Sequence, residues 1–353
     1  MIGLKGLWAV VGGFGVLSVG LAHAPHYQVS QTWSHVGATP HFSGVDAKLH
    51  KVFISNLAQG TVTVVNSVTG KPISTINVGG VVHTVMVDSQ TNRVYVTDIA
   101  RGRLDVINAK TDKLITEIPV ASHLHGLALS QRLHEAFVTD ISTNRVYVIN
   151  MRNNTVVTPT GISVGPNPWG VAVNPRTRTL YVANTGINLF PTMTVNPQGD
   201  SVSVVNLRDL KVTQTIPVGP HPWNLAVNSK TGNVYVGVSG ANTVAVIHRN
   251  HVVKDIPVGQ SPHGLALDAK LNRLFVNDSL SNQVSVIDTQ TNQLSQTLAV
   301  GSQPQGVTIN QKTGWVYAVN QQSASVSVLT PSFRLHGLLT FTRRGHVPTG
   351  TKS

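Results

Sequence analysis

The chain has 353 residues, no cysteine and only 11% charged residues, with 26 Lys and Arg against 14 Asp and Glu. Those figures exclude a disulfide scaffold, a thiol nucleophile and Cys-ligated metal centres, and they leave few carboxylates for acid–base chemistry. A hydrophobic content of 41% excludes a disordered chain and is enough for a large core.

Residues 1–24 carry one charge, Lys5, then an apolar run to Leu21 and the small-x-small triplet Ala22-His23-Ala24. That layout predicts a secretory signal peptide or N-terminal anchor. Pro25 is a poor residue to follow a cut, so cleavage after Ala22 and retention as an anchor both stay open. No second apolar run is long enough to span a bilayer. The body, 25–331, is therefore expected to be periplasmic or extracellular, with membrane contact only through 1–24 or the tail.

From there the chain repeats itself. Val258-Gly259-Gln260-Ser261-Pro262-His263-Gly264-Leu265-Ala266 matches the segments starting at Val164 and Val218, and the marker valines are Val36, Val78, Val120, Val164, Val218, Val258 and Val300. The spacings are 42, 42, 44, 54, 40 and 42 residues. Each copy reads as four short strands, shown most plainly by the sixth: Gly264–Leu267, Arg273–Asn277, Gln283–Ile287 and Gln293–Val300. Val, Ile, Leu and Tyr fill these runs, and Gly, Asn, Asp, Ser and Thr separate them. A period near 42 with four strands per unit predicts an all-β fold, a seven-bladed β-propeller of four-stranded blades. Copy seven meets Pro331 without a good fourth strand. Val29–Trp33 resembles the outer strand Val212–Ile216, so the N-terminal strand is expected to complete the last blade and seal the circle. A rival closure would use Leu338–Phe341.

The phrases Val94-Tyr95-Val96-Thr97-Asp98, Leu180-Tyr181-Val182-Ala183-Asn184 and Val234-Tyr235-Val236 resemble the signature of the YVTN β-propeller repeat family, and the resemblance covers residues 27–330. It implies the propeller fold. Its implication for activity is wide, because similar propellers are surface-layer-like proteins, periplasmic binding proteins and, more distantly, lactonases and haem-carrying nitrite reductases.

Aligned copies place His41, His83, His125, Trp169, Trp223, His263 and Gln305 at the start of the inner strand. At the end of the second strand they place Asn56, Asp98, Asp140, Asn184, Val238, Asp278 and Asn320. Both positions open onto one face of the disc, so the polar members of these sets form a candidate ligand-binding channel mouth. Converging imidazoles of His41, His83, His125 and His263 have the chemistry to hold a transition metal. Asp98, Asp140 and Asp278 would orient their own blade's histidine, and the tryptophans would wall a flat ligand. The competing reading is that His and Asp belong to the repeat's own packing, with the Asp capping its turn.

Copy four is 12 residues longer than the usual 42, and the excess lies between Asn184 and Ser201. It reads as a loop beside the mouth, either a lid or docking loop or a tolerated insertion, and it carries apolar Leu189, Phe190 and Met193. The tail, 332–353, holds Arg334, Arg343, Arg344 and Lys352 and reads as a basic, flexible segment suited to anionic surfaces. No aromatic-basic stripe appears, so nucleic acid is not an expected partner. Few carboxylates would suit an acidic habitat.

No His-Glu-x-x-His, phosphate loop or Cys-x-x-Cys-His occurs, and only Glu117 and Glu135 are glutamates. The expectation is a non-catalytic, monomeric binding scaffold that requires no cofactor, its partner a protein, cell surface or small molecule. The alternatives are a metal- or haem-associated redox accessory and a lactonase-like hydrolase drawing on Asp98, Asp140 and Asp278.

Overall fold

The structure, a computed structural model, describes residues 25–188 and 193–332. The predicted signal, the basic tail with the rival closing segment, and Leu189 and Phe190 lie outside the described residues.

Each repeat folds into one antiparallel sheet. Blade one comprises Pro40–Asp46, Lys51–Asn56, Thr61–Asn66 and Pro72–Asn77, and blade six Pro262–Asp268, Arg273–Asp278, Gln283–Asp288 and Gln293–Ala299. There are seven such blades. Their first strands pack side by side in a closed circle, the seventh (Pro304–Ile309) against the first. Blade seven is completed by the N-terminal strand His26–Trp33, which pairs with Ser325–Ser332. Gln296 of blade six holds that strand in place. Its Oε1 accepts from Tyr27 N at 2.9 Å and its Nε2 donates to Tyr27 O at 2.6 Å. The Tyr27 ring packs edge-on against Phe275 at 4.7 Å.

The strands form because their residues suit stacked sheets. Middle strands are covered on both faces, so runs such as Val52-Phe53-Ile54 are apolar without alternation. The polar residue ending many strands builds the next turn: Asp46 Oδ1 accepts from Lys48 N and Leu49 N at 2.8 and 3.0 Å. The core lies between blades as seven clusters. The closing one joins Trp33, Tyr317, Val326 and Val328 of blade seven to Val36, Val52, Ile54 and Val65 of blade one.

One blade departs from the four-strand plan. The outer strand of blade three is split into Thr155–Val156 and Ile162–Ser163, both paired with Arg145–Asn150. Pro159 between them has no N–H for the ladder. Among the described residues the only helical turn is Ser239–Ala241, and no helix is long and apolar enough to cross a membrane.

Candidate functional site

The mouth is built by a bulge repeated in every blade. The register between inner and second strands shifts between Pro40 and Ser43, Val82 and Val85, Leu124 and Leu127, and at the matching place in the other four. A bulge re-aims the side chain it carries. It turns His41, His83, His125, Trp169, Trp223, His263 and Gln305 towards one another, and all of them line one vestibule. Ring centroids run 4.5 Å from His41 to His83, 4.4 to His125, 4.2 to Trp169, 4.1 to Trp223 and 5.0 to His263. His263 returns to His41 at 6.1 Å. Six aromatic rings and Gln305 thus close the circle.

Residues not singled out in the sequence hold this circle. Ser55 Oγ donates to His83 O (2.5 Å), Thr97 Oγ1 to His125 O (3.1 Å) and Thr139 Oγ1 to Trp169 O (2.8 Å), each clipping one blade to the next. Their signal was a hydroxyl just before the Asn/Asp position. Gly126 must be glycine for a related reason, because a Cβ there would strike the Trp169 carbonyl oxygen. Phe42 is the one bulky side chain following a mouth residue, where other blades have Thr84, Gly126, Gly170, Asn224, Gly264 and Gly306. Its ring lies 5.2 Å from His83 and 6.0 Å from His263. It lines a separate cavity of about 320 Å³ further along the inner strands.

Hydrogen bonds set the protonation pattern. Thr84 Oγ1 donates to His125 O at 2.9 Å, so it accepts from His83 Nδ1–H at 3.0 Å. His83 Nε2 is then the acceptor for His41 Nε2–H, 3.0 Å away, and His41 Nδ1 is left a bare acceptor. Among the described residues that atom has no hydrogen-bond partner, and neither do His125 Nδ1 and Nε2, His263 Nδ1 and Trp223 Nε1. Burial is the main cause holding the imidazoles below their ordinary range. His41 and His83 lie well below it, and neighbouring histidines add to the effect. His125 falls to about 3 and His263 to about 4. The mouth imidazoles are therefore neutral near pH 7.

The second set of predicted residues does something else. Asn184 Nδ2 donates to Ser201 and Ser203 Oγ at 3.0 and 2.9 Å, Asn56 Nδ2 to Thr63 Oγ1 at 2.8 Å, and Asn320 Nδ2 to Ser325 and Ser327 at 3.0 Å. Asp278 Oδ2 accepts from Ser285 Oγ at 2.6 Å, and Asp140 from Ser122 N and Ser142 Oγ at 3.0 and 2.8 Å. Asp98 accepts from Val81 N at 3.1 Å and faces Arg103. These six side chains are staples within their own blades. None lines the vestibule, and none bonds a mouth imidazole. The expected pairing of His83 with Asp98, His125 with Asp140 and His263 with Asp278 is therefore replaced by turn and third-strand contacts. The end of the second strand lies under the glycine of the Val-Gly phrase and beside the third strand. A Cβ on Gly165 would strike Asn184.

The vestibule measures about 340 Å³, with Leu57, Val81, Ile99 and Leu280 around it. The copy-four loop folds against it: Ile187–Asn188 pairs with Thr194–Val195, and Ile187 O accepts from Trp169 Nε1 at 3.2 Å. Met193 is 68% exposed. Among the described residues no three His, Asp or Glu are already arranged around a metal position.

No protein-family model matches the sequence, and no curated protein matches it. Solved structures do, 1702 chains in all, so the architecture by itself selects no function. One described as hydrazine synthase of Kuenenia stuttgartiensis superposes with a TM-score of 0.69 at 18% identity, over 84% of this chain and 96% of that one. At that identity the likeness is one of fold: this chain is similar to other β-propellers in architecture.

Proposed function

We propose that the chain is a non-catalytic, exported propeller of the YVTN-repeat type that binds a small uncharged ligand in the mouth vestibule, with the 185–201 loop beside it. The observation that carries this reading is the set of buried, unpartnered nitrogens on His41, His125, His263 and Trp223. A buried polar atom left unpaired costs about 1–3 kcal/mol. Those atoms have almost no accessible surface, so a ligand with a donor for His41 Nδ1 and an acceptor for Trp223 Nε1 removes part of that cost once the rings turn towards the vestibule. Neutral imidazoles and a lining without carboxylates favour an uncharged molecule, and indole walls favour a flat one. A cavity of about 340 Å³ sits at the small end of ligand pockets and suits one or two rings. The lining hydroxyls of Ser261 and Ser279 bond to Ser239 and Gln305, not to an imidazole, which favours binding over hydrolysis.

A second reading is a transition metal on His41, His83, His125 and His263. The approach of His41 Nε2 to His83 Nε2 favours it, and neutral imidazole is the ligating form.

One experiment separates the two. Protein purified from its source is denatured, and the extract is analysed for small molecules and for metals. An uncharged one- or two-ring compound, absent from a Trp223→Phe variant, is the expected result. A stoichiometric metal lost from a His83/His125/His263 triple alanine variant selects the second reading. If neither is found and neither is taken up on addition, both readings fall. Export is checked by fractionation, with the protein expected outside the cytoplasm.

A further inference from the structure

Four of the seven seams between blades are closed by a bridge from the second strand to the last turn of the next blade. Lys51, opening the second strand of blade one, reaches the last turn of blade two, with Nζ 2.9 Å from Ala109 O and 2.7 Å from Asp112 Oδ1. Arg93 does the same to blade three, its Nη1 donating to Met151 O at 2.6 Å. In blades five and seven the central tyrosine of the second strand serves. Tyr235 donates to Asn292 Oδ1 at 2.9 Å, and Tyr317 to Ser67 O at 2.8 Å.

Blades three, four and six use neither device: Glu135 and Phe137 make no such bridge, Arg273 pairs with Asp288 of its own blade, and blade four has Thr179 and Tyr181 at these positions. Thr179 stands where blade one has Lys51 and is too short to cross. The Tyr181 hydroxyl has no hydrogen-bond partner among the described residues. The facing turn, Arg249-Asn250, has two residues, where blades two, three, four and six have four. Both turn residues are left-handed, at φ 49° and 62°, the geometry of a tight hairpin. Here the 40-residue copy loses its two residues. Gln214 Nε2 of blade four's outer strand donates to Asn250 O at 3.0 Å, and beside that bond lies a cleft of about 320 Å³, lined by Thr177, Thr179, Thr213, Asn206, Asn250 and Arg208, with Tyr181 also facing it.

We propose that this cleft binds an acidic sugar unit, a uronate within a polysaccharide. Hydroxyls and amides spread around an open cleft offer alternating donors and acceptors, the complement of a polyol. Arg208 is the only cation in the lining and has no ion-pair partner among the described residues. Its planar fork matches a carboxylate. The site is separate from the mouth and does not depend on the reading given for it.

The test is calorimetric titration of the full chain with an oligogalacturonate, with an uncharged oligosaccharide of equal length and inorganic phosphate as controls. The expected result is saturable binding of the uronate alone, weakened at least tenfold in Arg208→Gln. Thr179→Lys, which restores the bridge of blade one, is expected to abolish binding without lowering the melting temperature. If Thr179→Lys misfolds, Arg208→Gln at its exposed position decides. No saturable binding, equal binding by Arg208→Gln, or equal binding of either control would overturn the proposal. His125→Leu at the mouth is expected to leave this binding unchanged.

Discussion

Two circles of polar side chains lie near the same face of this disc, and they are used in opposite ways. The second-strand circle, Asn56, Asp98, Asp140, Asn184, Asp278 and Asn320, is almost wholly buried, and each member bonds within its own blade, although one oxygen each of Asn56, Asp98, Asp278 and Asn320 has no hydrogen-bond partner among the described residues. The inner-strand circle, His41, His83, His125, Trp169, Trp223, His263 and Gln305, is buried except for half-buried Trp223, and it leaves nitrogens of four members unpartnered among the described residues. Both follow the repeat. Each second-strand member has at least one polar atom bonded into its own blade, whereas only the inner-strand circle lines the vestibule. The lesson is that recurrence at a position does not separate structure from site, whereas the surface a side chain turns to, its own blade or a shared cavity, does.

The largest expected effect that sharpens this contrast is on acid stability. The mouth histidines have lowered pKa values in the folded state, so below about pH 6.5 the unfolded chain binds protons that the folded chain does not. Stability is then lost as pH falls, by about 1.4 kcal/mol per pH unit for each such histidine. The loss continues until each folded-state value is reached, about 3 for His125 and about 4 for His263. Chemical unfolding between pH 7 and pH 4 measures it, and His125→Leu is expected to flatten the curve. This opposes the acid tolerance expected from the scarcity of carboxylates, because the histidines titrate first.

Breaking a staple is the next effect in size. Asn184→Ala strands the hydroxyls of Ser201 and Ser203 and is expected to cost about 1–3 kcal/mol in urea unfolding, with no change in ligand binding at the mouth. Gly165→Ala pushes against the same Asn184 side chain and is expected to lower stability by a similar amount. Smallest of all is the stability change for His125→Leu at pH 7, expected to lie within about 1 kcal/mol of the parent in either direction, since an apolar group replaces two unpaired nitrogens. A cost of several kcal/mol there would mean that His125 is a structural residue and would erase the distinction between the circles.

Much of the fold was legible in the sequence. The period near 42, the phrase around Val-Tyr-Val and the orphan strand Val29–Trp33 together specify blade number and closure, because each reports a local rule repeated seven times. The circle of mouth residues was legible for the same reason. What the aligned positions did not reveal was the direction of the second-strand carboxylates and amides. That depends on the glycine above them and on the hydroxyls of the third strand, such as Ser203 and Ser285, which the sequence shows but does not pair. The bulge that turns His125 inward, the clip from Thr97 and the place of Phe42 depend on contacts between neighbouring inner strands. Such contacts follow from the closed circle, not from any one repeat. The cleft between blades four and five had a signal, the short 40-residue copy, whose meaning emerged only from the two-residue turn Arg249-Asn250 that it leaves there.

The central claim is that the mouth is a binding site for a flat, uncharged molecule. It is tested most directly by titrating histidine-labelled full-length protein at pH 7 with benzimidazole, a flat two-ring probe with one donor and one acceptor. Imidazole NMR signals of His41, His125 and His263 are predicted to shift saturably, and the shifts to vanish in Trp223→Phe. Unmoved signals at millimolar probe, in protein free of any resident ligand, would contradict it.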